Sequence, residues 1–255
     1  IHTTYARLKK VYNFFYNNGE LLKDPFKGVK MPKKGEPKVT HLTKEQMDDV
    51  RSAVYDNYDP KDPMYVGILL AFLAGLRCGE ICGLRWNDID FYRHTLTVRS
   101  AVSVSNGKDG DYTKNPKNKT SNRTLPLMPE LEDALLKRKA LIVPLDSWYV
   151  IGEQEQFMRP QQYNRLFSEF VDRNNLVDAY GKKIVPHGLR HNFAAVGIQS
   201  GMDITSLALM MGHASRAMTL DTYGDANADA PALASVKLKD TFNDNTDYFK
   251  FIIFP

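Results

Sequence analysis

Thirteen consecutive residues, Met64 to Leu76, carry no charge. The run is too short to cross a bilayer, which takes about 20 residues. It is also too long for an ordinary strand. It reads as a helix over 64–74, stopped by Gly75. A helix that is apolar on every side must be covered on every side. With 255 residues, 43% of them hydrophobic, the chain has enough material for that cover: one sizeable domain plus an appendage.

The flanking pattern is mostly helical. Thr43-Lys-Glu-Gln46 forms a capping box ahead of Met47, Val50 and Val54, so a domain opens there. A second short helix is expected over 77–84. Leu96 to Val98 and Ala101 to Val104 are β-type and read as a strand. Residues 111–127 read as a hairpin, with 116–122 at the turn and Arg123 to Leu127 returning; Pro126 suits an edge. Helical patterns follow at 130–141, 160–174, 188–200, 203–211 and 215–222, with Gly201 and Gly212 as stops. The expected fold class is mainly α with a small antiparallel β-sheet.

Charge is distributed unevenly. Residues 1–44 hold ten Lys/Arg against three acids, a surplus of seven; since the whole chain is +4, the remainder stands at −3. Helical spacing of Tyr5, Leu8, Val11, Tyr12 and Phe15 marks a helix over 3–17. One helix and a short tail cannot bury a core. Residues 1–28 therefore read as the end of another domain, and the chain as an excised fragment. Residues 29–42 read as an extended basic linker. Lys33, Lys34 and Lys38 within it are candidate phosphate contacts, an electrostatic footprint for nucleic acid. A solvated Lys-rich spacer is the plainer alternative. Cys78 and Cys82, the only cysteines, read as free thiols, which suits the cytoplasm.

Five short words stand in order: LAGLRCGEICGLRW (73–86), PKNKTSNRTLPL (116–127), HGLRH (187–191), MGH (211–213) and TLDTYG (219–224). They space out Arg77, Lys117, His187, Arg190, His213 and Tyr223. Arg77 follows a glycine between two helices, where a guanidinium either clamps a phosphate or caps the preceding helix. Glu80 reads as a partner that orients Arg77 or a neighbouring base. His187 and Arg190 share a helix face. His187 and His191 have a zinc-like spacing, but the helix offers neither further ligands nor a catalytic Glu, so no metal is expected.

Together these words resemble the tyrosine recombinase family, the integrases of phages and conjugative transposons, over roughly residues 40–225. The resemblance implies the tyrosine recombinase catalytic domain over 43–230, with residues 231–255 as a C-terminal tail. It implies site-specific strand exchange on double-stranded DNA, for integration and excision of a mobile element. Tyr223 would attack the scissile phosphate, with Arg77, Arg190 and His213 stabilising charge and His187 assisting proton transfer. Counting back from Arg123, the general acid falls on Lys117. Asn118 stands where the family commonly has Thr, and Lys119 shares Lys117's strand face. Lys119 thus remains a rival for that role, and Lys114 a more distant one. Lys119 and Arg123 are also candidate DNA contacts.

The resemblance further implies a homotetramer on DNA and a reaction without ATP, metal or other cofactor. Two other functions stay open: a type IB topoisomerase-like enzyme and a non-catalytic DNA-binding regulator. The tail ends Tyr248-Phe-Lys-Phe-Ile-Ile-Phe254, six apolar residues in seven. It either folds back on its own domain or, as the resemblance implies, passes to a neighbouring protomer.

Overall fold

The computed structural model describes residues 2–21, 23–24, 26–30, 42–103, 112–114 and 122–213. Lys33, Lys34, Lys38, Lys117, Lys119, Tyr223, the helix expected at 215–222 and the tail lie outside the described residues. The chain divides into two units, Ile1–Lys38 and Val39–Pro255.

In the first unit, α1 (His2–Asn17) ends before Gly19, whose φ of +76° turns the chain. Tyr5 and Tyr12 meet the ring of Phe26 edge to face. Leu8, Val11, Phe14 and Phe15 remain exposed, so this helix has an apolar surface and no core of its own.

The second unit opens with α2 (Lys44–Asp56), started by the reciprocal Thr43–Gln46 capping box. Helix α3 (Pro63–Leu73) follows, with Asp62 accepting from the Met64 amide and Pro63 in the first turn. Every residue from Met64 to Phe72 is buried. The cover is supplied by α5 (Pro129–Ile142), α6 (Pro160–Arg173) and α7 (Pro186–Gln199), each packed on α3. Gly67 sets one approach: a Cβ there would lie 2.8 Å from the Tyr163 ring, whose hydroxyl donates to the Gly67 carbonyl. Helix α4 (Cys78–Gly83) and α8 (Ile204–Met211) complete the α-helices among the described residues, and a 3-10 turn spans Trp86–Asp88. None of these helices is long and apolar enough to cross a membrane.

The strands differ from the sequence expectation in two ways. Residues 96–103 do not make one strand. β2 (Thr95–Val98) belongs to a three-stranded antiparallel sheet, lying between β1 (Ile89–Asp90) and β5 (Arg123–Pro126), while β3 (Ala101–Ser103) pairs with β4 (Tyr112–Lys114) in a separate sheet. Between them Arg99 pairs with Asp88, and the Ser100 hydroxyl donates to the Gly83 carbonyl, so the chain leaves one sheet for the other.

The expected hairpin over 111–127 is likewise replaced. β5 (Arg123–Pro126) pairs with β2, in register Thr95↔Pro126 to Val98↔Arg123. Strand propensity identifies both segments, but propensity carries no information about the partner. Pro126 does sit on an edge strand, where its missing N–H costs nothing.

Gly75 makes the junction of α3 and α4. Its φ is +61°, and a Cβ would lie 2.5 Å from the Phe193 ring on α7. Gly75→Ala is expected to destabilise the chain by about 2 kcal/mol, left-handed strain alone costing about 1–2. Urea denaturation checks this, and an unchanged midpoint would count against the packing described.

Candidate active site

Helix α8 ends where Gly212 enters the left-handed region. The His213 amide bonds back to Ala208 and the Gly212 amide to Leu209, both at 3.0 Å. That turn leaves the carbonyls of Met210, Met211 and Gly212 without helical donors. Three arginines supply them. Arg123 Nε donates to Met210 at 2.6 Å, Arg190 Nη2 donates to Met211, and Arg77 Nη2 donates to Gly212 at 3.0 Å. Cations at a helix C-terminus also oppose its partial negative charge favourably.

Three guanidinium groups in one place repel one another. The counter-charge is Glu80, whose side chain is 7% exposed. Its Oε1 accepts from Arg77 Nη1 at 2.9 Å and Arg123 Nη1 at 3.0 Å. Its Oε2 accepts from Arg123 Nη2 at 2.8 Å and from the Arg77 amide at 2.8 Å. Arg190 Nη1 lies 3.9 Å away. Burial pushes this carboxyl up, but the hydrogen bonds and charge of Arg123, then Arg77, hold it down at about 2. Glu80 is therefore ionised throughout the physiological range.

Arg77, His187, Arg190 and His213 converge here. Arg77 opens α4, with 40% of its side chain exposed. Arg190, 2% exposed, also donates to the Gly75 carbonyl at 2.5 Å, tying α7 to the α3–α4 junction. Arg77, His187 and Arg190 line one cavity of about 650 Å³, together with Asn164, Ser168 and Lys183. That volume suits a small-molecule-sized group such as a nucleotide unit.

Both histidines are half-buried and held below the ordinary imidazole value. For His187 the causes are burial, then Arg190 and Arg77. His213 is lowered to about 4 by burial, then Arg190, Arg77 and Arg123, against an opposing pull from Glu80. Both are neutral at pH 7. His187 and His191 touch edge to face, ring centroids 4.2 Å apart. Among the described residues no three His, Cys, Asp or Glu gather as metal ligands. Cys78 and Cys82 are free thiols.

Arg123, a candidate DNA contact, is buried: its side chain is 6% exposed and its guanidinium is engaged by Glu80 and Met210. The alternation of β5 carries the signal, since Arg123, Leu125 and Leu127 share the buried face. Arg138, not singled out from sequence, is a third buried arginine, after Arg123 and Arg190. It donates to the carbonyls of Val150, Pro60 and Lys61, pinning loops to α5.

The model of the phage integrase family matches residues 38–229. The chain belongs to the phage integrase family. A tyrosine recombinase XerC-like protein of Caldanaerobacter subterraneus subsp. tengcongensis is 25% identical, over 85% of this chain and 59% of its own length. The Tn916 transposase of Enterococcus faecalis is 31% identical, over 78% of this chain and 50% of its own. The chain thus spans roughly half the length of these curated relatives.

Among solved structures, a Tn1549 transposon integrase in complex with transposon right-end DNA aligns with a TM-score of 0.69 at 24% identity. It covers 91% of this chain and 77% of that one. A XerA recombinase crystal structure aligns at 0.56 and 20% identity, covering 91% and 73%. These likenesses show the fold: a mainly helical domain with small antiparallel sheets, shared with tyrosine recombinase catalytic domains.

In this integrase-family chain the neutral His213 has a measurable consequence. Its folded value lies below the unfolded one, so the chain loses stability as pH falls from about 6.5 toward about 4. Proton NMR should give His213 a midpoint near 4, moving up in Arg77→Gln. A midpoint at the ordinary imidazole value would contradict the charge arrangement.

Proposed function

We propose that the chain is the catalytic part of a site-specific DNA recombinase that integrates and excises a mobile element through a tyrosyl–DNA intermediate. One observation carries the proposal: Arg77, His187 and Arg190 line a single cavity, and Arg77 and Arg190 also hold the turn from which His213 emerges. Cations with neutral imidazoles around an opening of nucleotide size suit a phosphodiester. Membership of the phage integrase family and likeness to a DNA-bound transposon integrase support the same reading.

Tyr223 is the nucleophile. A free tyrosine phenol has a pKa of about 10 and attacks poorly at neutral pH. Cations around the phosphate favour the phenolate and spread the charge of the phosphorane. The phenolic oxygen bonds to phosphorus and the bond to the 5′ oxygen breaks, giving a 3′-phosphotyrosyl link and a free 5′-hydroxyl. Arg77, the exposed guanidinium, contacts the non-bridging oxygens, and Arg190 supplies charge from beneath. His213, neutral, donates one hydrogen bond to the same oxygens. His187 assists proton transfer at the phenol. Lys117 delivers the proton to the departing oxygen, with Lys119 the rival for that task.

Because the protein–DNA link conserves the bond energy, religation needs no ATP. The arginines hold the charge that two-metal nucleases give to metal ions. In the same reading, residues 1–28 belong to a core-binding helical domain. Residues 29–42 are a basic linker whose Lys33, Lys34 and Lys38 track the backbone. Residues 231–255 are an assembly tail, and four copies hold two duplexes in the cytoplasm.

A nicked suicide duplex carrying a crossover site taken from the DNA that flanks the gene tests this. The 255-residue chain should form a denaturant-stable adduct, and Tyr223→Phe should abolish it. Adduct persistence in Tyr223→Phe would move the nucleophile elsewhere. Absence of any adduct in the intact chain would favour the DNA-binding regulator. With a sulfur leaving group, Lys117→Ala should regain cleavage at least tenfold while Arg77→Ala stays poor, since a thiolate needs no proton.

A further inference from the structure

Arg123 has no part in the chemistry just described and does not line the cavity, yet it bonds the turn that carries His213. It stands first in β5, and its guanidinium leaves the sheet for two other elements. Nη1 and Nη2 fork the two oxygens of Glu80 on α4 at 3.0 and 2.8 Å. With the fork fixed, the planar group can aim Nε in only one direction, and that is the Met210 carbonyl at 2.6 Å. A Cβ on Gly212 would lie 2.7 Å from Arg123 Nη1, so the guanidinium is pressed against the turn as well as bonded to it.

We propose that Arg123 is a positioning residue for His213, holding the end of α8 against Glu80 so that the imidazole stands beside Arg77. Helix α8 has eight residues, too few to be stable alone. Its apolar side, Leu207 and Met211, is held by Ala194 and Ile198. Its polar end is held by arginines. Of these, Arg77 is exposed and must turn to an arriving phosphate, which competes with its bond to Gly212. Arg190 borders the same cavity. Arg123 is buried away from that competition, so it keeps the turn in place while Arg77 engages. Lysine would preserve the charge but could not fork Glu80 and reach Met210 together.

The rate arm of the test rests on the recombinase reading, whereas the exchange arm does not. In the 255-residue chain, Arg123→Lys should speed amide hydrogen exchange at Gly212 and His213 at least tenfold, with α5 amides unchanged. On the suicide duplex it should slow adduct formation by about 10–100-fold, with DNA affinity held within about twofold. Added to His213→Ala, it should cost nothing further, because both changes remove the same positioned group.

Unchanged exchange at 212–213 would overturn the proposal, as would losses that add to those of His213→Ala. A slowing that comes with equal loss of α5 protection would also overturn it, by showing general instability. If the intact chain forms no adduct, the recombinase reading falls and the exchange arm decides alone. Arg123→Met is the second variant; if it melts at working temperature, Arg123→Lys still gives both readouts.

Discussion

One buried carboxylate, Glu80, faces guanidinium groups from three separate elements, one neighbouring it and two distant in the chain. Arg77 comes from the α3–α4 junction, Arg123 from β5 and Arg190 from α7. Each of those arginines also bonds one of three consecutive carbonyls at the end of α8. Remove the negative charge and three buried or half-buried cations are left to repel one another around a helix end. A broken buried pair of this kind costs about 3–5 kcal/mol. The sheet, the central helix junction and the histidine-bearing turn are thus held in register by electrostatics, not by the apolar core alone. The core can still fill its volume with several side-chain sets, whereas the arginine fork admits few geometries.

The same arrangement explains the state of the histidines. Cations near His187 and His213 disfavour a further positive charge, and burial adds to the effect. Neutral imidazoles keep one donor and one acceptor each, the combination that suits hydrogen bonding and proton movement at a phosphate. A carboxylate placed next to the histidines instead of behind the arginines would have charged them. Glu80 opposes the shift at His213 without cancelling it.

Much of this fold was legible before any coordinates. The uncharged run 64–76 required a covered helix, and the Thr43–Gln46 box and the glycines at 75, 201 and 212 marked real ends. Local rules work there because caps and left-handed turns are settled within a few residues. Strand partners were not legible. The return from Arg123 to Leu127 pairs with β2, not with the segment just before it, and short strands of similar composition leave register to tertiary packing. The burial of Arg123 was hard to read for a related reason. A basic residue in a polar stretch suggests solvent or DNA, and only its alternation with Leu125 and Leu127 shows that it points inward. Glu80 was legible as an arginine partner because it stands one helical turn from Arg77; that it answers three arginines required the fold.

Acid titration of stability tests the central role of Glu80 most directly. Its folded value is depressed from 4.5 to about 2, so its contribution is complete above about 4.5 and is lost as pH falls toward 2. A shift of that size corresponds to about 3 kcal/mol. Denaturant unfolding of the intact chain and of Glu80→Gln should therefore show a large gap at pH 6 that shrinks by about 3 kcal/mol on the way to pH 2. A gap that stays constant across that range would contradict the account, because it would show that the carboxylate's charge is not what holds the arginines and the helix end together.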